Sequence, residues 1–73
     1  MYVVLELQKT GNDIGSIITK KDTYNEAMSL FHTILAAAAI SQVEAHSAVV
    51  LSDDGQLLKN GTFYHLPEVE EEN

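Results

Sequence analysis

The sequence predicts an α+β domain: ββαββ, an antiparallel four-stranded sheet with one helix packed on one face. Three observations predict it. Tyr2 to Lys9 alternates with the period of two of a strand, and Ile14 to Lys20, Val43 to Ser52 and Leu57 to His65 read as further strands set off by turn residues. Between them, residues 23–41 change to steps of three and four, the period of a helix. A right-handed crossover that sets the third strand beside the first then gives the strand order 2-1-3-4.

The elements follow in order. In Tyr2 to Lys9, Val3, Leu5 and Leu7 share one face, and Tyr2, Val4, Glu6 and Gln8 share the other. Thr10 to Asp13, "TGND", is turn chemistry, because glycine and asparagine tolerate positive φ. Ile14 to Lys20 returns as the second strand of a hairpin. Thr23 followed by Glu26 matches a capping box, with Asp22 as a competing N-cap. Tyr24, Ala27, Met28, Phe31, Ile34, Leu35 and Ala38 then form the apolar stripe of a helix that ends near Ser41. Val43 to Ser52 is the third strand, Asp53 to Gln56 carries the Asp-Gly hairpin signal, and Leu57 to His65 is the fourth. Asn60-Gly61 suggests a bulge or a premature turn inside that last strand. Residues 1–66 make one domain, and residues 67–73, opened by Pro67 and rich in glutamate, read as a flexible acidic tail.

Ala36 to Ala39 stand where a helix normally carries bulk inward and charge outward. Alanine is the best helix former, but an apolar flank without bulk also lets another backbone come close. The sheet repeats the surplus: Tyr2 and Val4 oppose Val3 and Leu5, and Ala48 and Val50 oppose Val49 and Leu51, while one helix can cover only one face. An exposed patch of several hundred Å² usually marks an interface. The expectation is a homo-oligomer, with a twofold dimer as the commonest closed form. The alanine flank, the second sheet face and an edge strand all remain open as the contact.

Charge excludes several functions. The net charge is −7, and without Glu68, Glu70, Glu71 and Glu72 it falls to about −3. Lys9, Lys20, Lys21 and Lys59 are the only lysines and there is no arginine, which argues against nucleic acid as a partner. No apolar run is long enough to span a membrane, and "MYVVLELQKT" lacks a signal-peptide pattern, so the expected location is the cytoplasm. The absence of cysteine removes thiol chemistry.

No constellation announces catalysis, a metal or a cofactor. His46 and Ser47 are adjacent on a strand, so their side chains point to opposite faces and cannot share a proton. His32, His46 and His65 match no metal-ligand spacing. Lys20 and Lys21 precede a helix N-terminus, where Asp22 and Thr23 compete as caps. Gly11 and Gly15 flank a hairpin turn, not a phosphate loop. Polar, uncharged side chains near the expected interface are the candidates for ligand binding: His32, Ser41, His46, Ser47 and Tyr64.

"MYVVLELQ", then "FHTILAAAAISQVEAHSAVVL" with its His46-Ser47 pair and a following glycine turn, resembles a set of short proteins encoded by phages and prophages of gut Firmicutes. The resemblance covers residues 1–65. It implies an origin and no fixed mechanism, and suggests two roles. One is a small non-catalytic oligomer that sequesters a host nucleotide-type defence signal in a pocket between subunits. The alternative is an accessory part of the virion or its assembly, acting through protein–protein contacts. From the sequence, the nucleotide role stands slightly ahead.

Overall fold

The computed structural model describes residues 1–65; the expected acidic tail, residues 67–73, lies outside them. The elements are β1 (Tyr2–Thr10), β2 (Asp13–Lys21), α1 (Tyr24–Ile40), β3 (Ala45–Ser52) and β4 (Leu57–Tyr64). All neighbouring strands are antiparallel, in the order β2-β1-β3-β4, with α1 against one face.

The helix starts where its cap dictates. Thr23 is extended at φ −120° and ψ 156°. Its Oγ1 accepts from the Glu26 backbone N–H at 3.1 Å, and the Glu26 carboxylate accepts from the Thr23 N–H at 3.3 Å. Both ends of the capping box are therefore made, and Thr23 wins over Asp22. At the far end Ser41 is the C-cap, extended at φ −74° and ψ 164°.

Ala27, Phe31 and Ile34 of α1 meet Val4, Ala48 and Val50 of the two central strands in one buried cluster. Tyr2, Met28, Leu30 and Leu35 pack around it. Full burial of a Phe, Ile or Val side chain contributes about 1.5–3 kcal/mol, so these few residues carry most of the sheet–helix adhesion. Ala27 and Ala48 are completely buried, and their small size lets the helix backbone approach the sheet. Tyr24, expected on the buried stripe, is partly exposed and sets its ring edge-on against Tyr2, with centroids 5.8 Å apart.

The bulge differs from the sequence expectation. Asn60 and Gly61 are in regular register with Val49 and Ala48. The register slips instead between Val50 and Leu51, which pair with Lys59 and Leu57 and leave Leu58 as the extra residue. Gly61 answers a different demand: a Cβ there would lie 3.0 Å from Leu35 Cδ1, so glycine admits the helix's Leu35. Gly55 does supply the positive φ, 90°, of the β3–β4 turn. The third strand also begins at Ala45, two residues later than the apolar pattern suggests, because the chain must first descend from the helix layer to the sheet.

Candidate functional site

The face of the sheet under the helix carries Tyr2, Val4, Glu6 and Gln8 from β1, and from β3 Val50, Ala48 and His46, which pair with Val4, Glu6 and Gln8. Glu6 and His46 are thus diagonal neighbours. His46 Nε2 lies 2.6 Å from Glu6 Oε2, and its Nδ1 lies 3.1 Å from Ser41 Oγ. His46 is only 4% exposed. The Gln8 side-chain amide donates to the same Glu6 oxygen at 3.0 Å.

The proton count follows from the partners. An ionised carboxylate only accepts, so Nε2 carries a proton. With a neutral ring, the Ser41 hydroxyl donates to Nδ1. With a charged ring, Nδ1–H donates to Oγ and the hydroxyl turns to the Ala38 carbonyl, 3.3 Å away. Every buried polar atom of the group finds a partner either way.

Ser41, His46 and Glu6 stand in the order hydroxyl, imidazole, carboxylate, which invites comparison with a nucleophilic triad. The electrostatics oppose that use. Ser41 caps the C-terminal end of α1, where carbonyl oxygens point outward and the helix dipole is negative. An alkoxide or oxyanion there meets negative potential instead of the aimed N–H donors that acyl transfer needs. The same carbonyl end is closed by His65, whose Nε2 lies 2.7 Å from the Ala38 oxygen. The arrangement is suited to holding the helix end on β1, β3 and the chain after β4.

A second clamp secures the other side of the α1–β3 connection. The Glu44 carboxylate accepts from the Gly11 backbone N–H at 3.1 Å and from Lys9 Nζ at 3.3 Å, tying the β1–β2 turn to residue 44. These contacts hold its carboxyl below the usual range, the Gly11 N–H most strongly and then Lys9.

Of the five residues expected to bind ligand, only Ser41 and His46 come together. His32 is exposed on the helix with its ring edge-on to Phe31, centroids 5.4 Å apart. Ser47 and Tyr64 lie on the opposite face of the sheet, and Tyr64 is 70% exposed. Glu6, which completes the His46 group, was not among the candidates. Its signal was a carboxylate set in the same alternation as Val4, and reading it required the β1–β3 register. Among the described residues no cavity opens, and no three His, Asp or Glu side chains gather closely enough to hold a metal. None of the described helices is long and apolar enough to cross a membrane.

The other surface with a distinct character is the sheet face turned away from α1. Val3 stands between Lys20 and Leu51, Leu5 between Ile18 and Val49, Leu7 between Ser16 and Ser47, and Lys9 between Ile14 and Ala45. On β4 the face continues with Leu57, Asn60, Thr62 and Tyr64, opposite Leu51, Val49, Ser47 and Ala45. Its centre is aliphatic, and among the described residues the strand positions that form it carry two charges, Lys9 and Lys20, of which Lys9 is paired at the rim with the Glu44 carboxylate. The more apolar side of β1 is therefore the one the helix leaves open. Ile14 and Ile18 are 67% and 66% exposed there.

Comparison with protein-family models, with curated proteins and with solved structures gives no match.

Proposed function

We propose that this protein is a non-catalytic homo-oligomer that acts by binding, and that its contacts with partners are made by surfaces instead of a cleft within one chain. One observation carries the reading: the helix covers the side of the sheet that holds Glu6, Gln8 and His46, and leaves bare the side that holds Val3, Leu5, Leu7, Val49 and Leu51. Apolar surface of that extent gains free energy by leaving water, at about 25 cal/mol per Å². A broad sheet face of this kind suits another protein surface, a second copy of this chain included. It favours the accessory role in a virion or its assembly that the resemblance to phage and prophage proteins suggests.

A second reading, capture of a small nucleotide-type signal, has one observation in its favour. Lys20 and the hydroxyls of Ser16, Ser47 and Thr62 lie on the open face, where the charge of Lys9 is offset by Glu44. If two such faces approach, any pocket between them is neutral to positive, which an anion needs. On this reading Ser47 and Tyr64 line the pocket, and His32, Ser41 and His46 serve elsewhere.

Sedimentation together with thermal unfolding separates the readings. Self-association with no change in Tm across a nucleotide panel supports the contact role. A ligand at 100 times its Kd adds about 2.7 kcal/mol to stability, so a clear rise in Tm with one nucleotide moves the conclusion to sequestration. A monomer at micromolar concentration removes the homo-oligomer and both readings with it.

A further inference from the structure

We infer that the open sheet face is the self-association surface and that its occupant is a second copy of this chain, stacked face to face with the helices outward. The inference rests on the homo-oligomeric reading above and names the surface which that reading leaves open.

Area supports it. At ~4.8 Å between strands and ~3.3 Å per residue, four strands of about eight residues present a flat footprint of roughly 500 Å². The side chains standing on that footprint expose more than the footprint itself. The face therefore approaches the ~600–1,000 Å² per partner that a stable pair removes from water. The exposed helix flank does not: Ala36, Ala37 and Ala39 add little surface each, His32 and Thr33 are polar, and Ile40, 84% exposed, is its one bulky apolar side chain.

Chemistry supports a copy of the same chain. A twofold axis lying along the strands between β1 and β3 sets β1 over β3 of the second copy, so Val3 and Leu5 meet Leu51 and Val49. It sets β2 over β4, which brings the Ser16 and Thr62 hydroxyls together. Lys9 then faces Ala45 and Lys20 faces Leu57, so neither lysine meets its own copy. Two sheets packed this way form an aligned sandwich with an inner layer about 10 Å thick.

The edge strand provides the test, because its neighbouring isoleucines point to opposite sides. Ile18 lies on the open face and Ile17, 56% exposed, on the helix side. Both are exposed enough to replace without emptying the core. Lysine is the substitution of choice, because the open-face neighbours of Ile18 in the register are Leu5, Ser16 and Lys20, none of which can neutralise it. Sedimentation of the purified chain should show a wild-type dimer, a dissociation constant raised on the order of 100-fold or more in Ile18→Lys, and a dimer preserved in Ile17→Lys. A folded Ile18→Lys variant that still dimerises as wild type overturns the inference, as does splitting by Ala36→Glu with Ile18→Lys intact. A monomeric wild type overturns the underlying oligomeric reading instead.

Discussion

Glu6 and His46 meet diagonally across β1 and β3, 2.6 Å apart, beneath the C-terminal end of the helix. The imidazole is buried, so its Nε2–H depends on that carboxylate for a partner. Glu6→Ala leaves the donor unsatisfied and should cost about 1–3 kcal/mol. Glu6→Gln keeps an acceptor oxygen at the same reach and should cost less. Urea unfolding of the two variants checks this, and equal losses would show that the bond contributes nothing. The double variant Glu6→Ala/His46→Ala should lose less than the two single losses added, because the residues share one contact.

Much of the fold was legible because each local signal agreed with the next. The four strands in order, the Thr23–Glu26 box and the Asp54-Gly55 turn follow the sequence reading, with β3 starting two residues late. The side of the sheet that the helix covers was not legible. Val3, Leu5 and Leu7 form the cleaner apolar row, yet the helix sits on Val4, because that side also offers the small Ala48 and Gly61 for close approach. The Glu6–His46 pair was hidden for a related reason: residues 40 apart meet only once the β1–β3 register is known.

Gly61 and Leu35 give a sharper version of the same point. A Cβ at Gly61 would stand 3.0 Å and 3.2 Å from the two Leu35 methyls. Those methyls end a flexible side chain, so Gly61→Ala should cost under about 1 kcal/mol. Gly61→Val forces a larger displacement and should cost about 1–3 kcal/mol. Leu35→Ala in the valine background should recover part of that loss. A thermodynamic cycle over the four proteins measures the coupling, and strict additivity would mean that the two side chains do not compete for space.

Glu44 makes stability depend on pH in a definite sense. Its carboxyl is held below its ordinary value of 4.5, first by the Gly11 N–H and then by Lys9. A carboxyl depressed in the folded state contributes stability that is fully present above the unfolded value. That contribution is lost as pH falls through the folded value. The wild type should therefore exceed Glu44→Gln in stability at neutral pH, and the gap should close on acidification below about pH 4.5. Because the carboxylate is exposed, added salt should narrow the gap at neutral pH through its effect on the Lys9 pair. Parallel curves for the two proteins from neutral to acid pH would rule the clamp out.

Ser41 decides whether the hydroxyl–imidazole–carboxylate group is anything more than a tether. Its Oγ lies within reach of His46 Nδ1 and of the Ala38 carbonyl, at the negative end of the helix dipole. A nucleophile needs the opposite potential, so a fluorophosphonate probe should leave Ser41 unlabelled at any pH at which the protein stays folded. Ser41→Ala should cost about 0.5–1.5 kcal/mol, the net value of a hydrogen bond. The loss should appear mainly as fraying of the last helical turn, visible as faster amide exchange between Ala37 and Ile40. Labelling of Ser41 that disappears in a folded His46→Ala variant would reverse the assignment and make the group a reactive site.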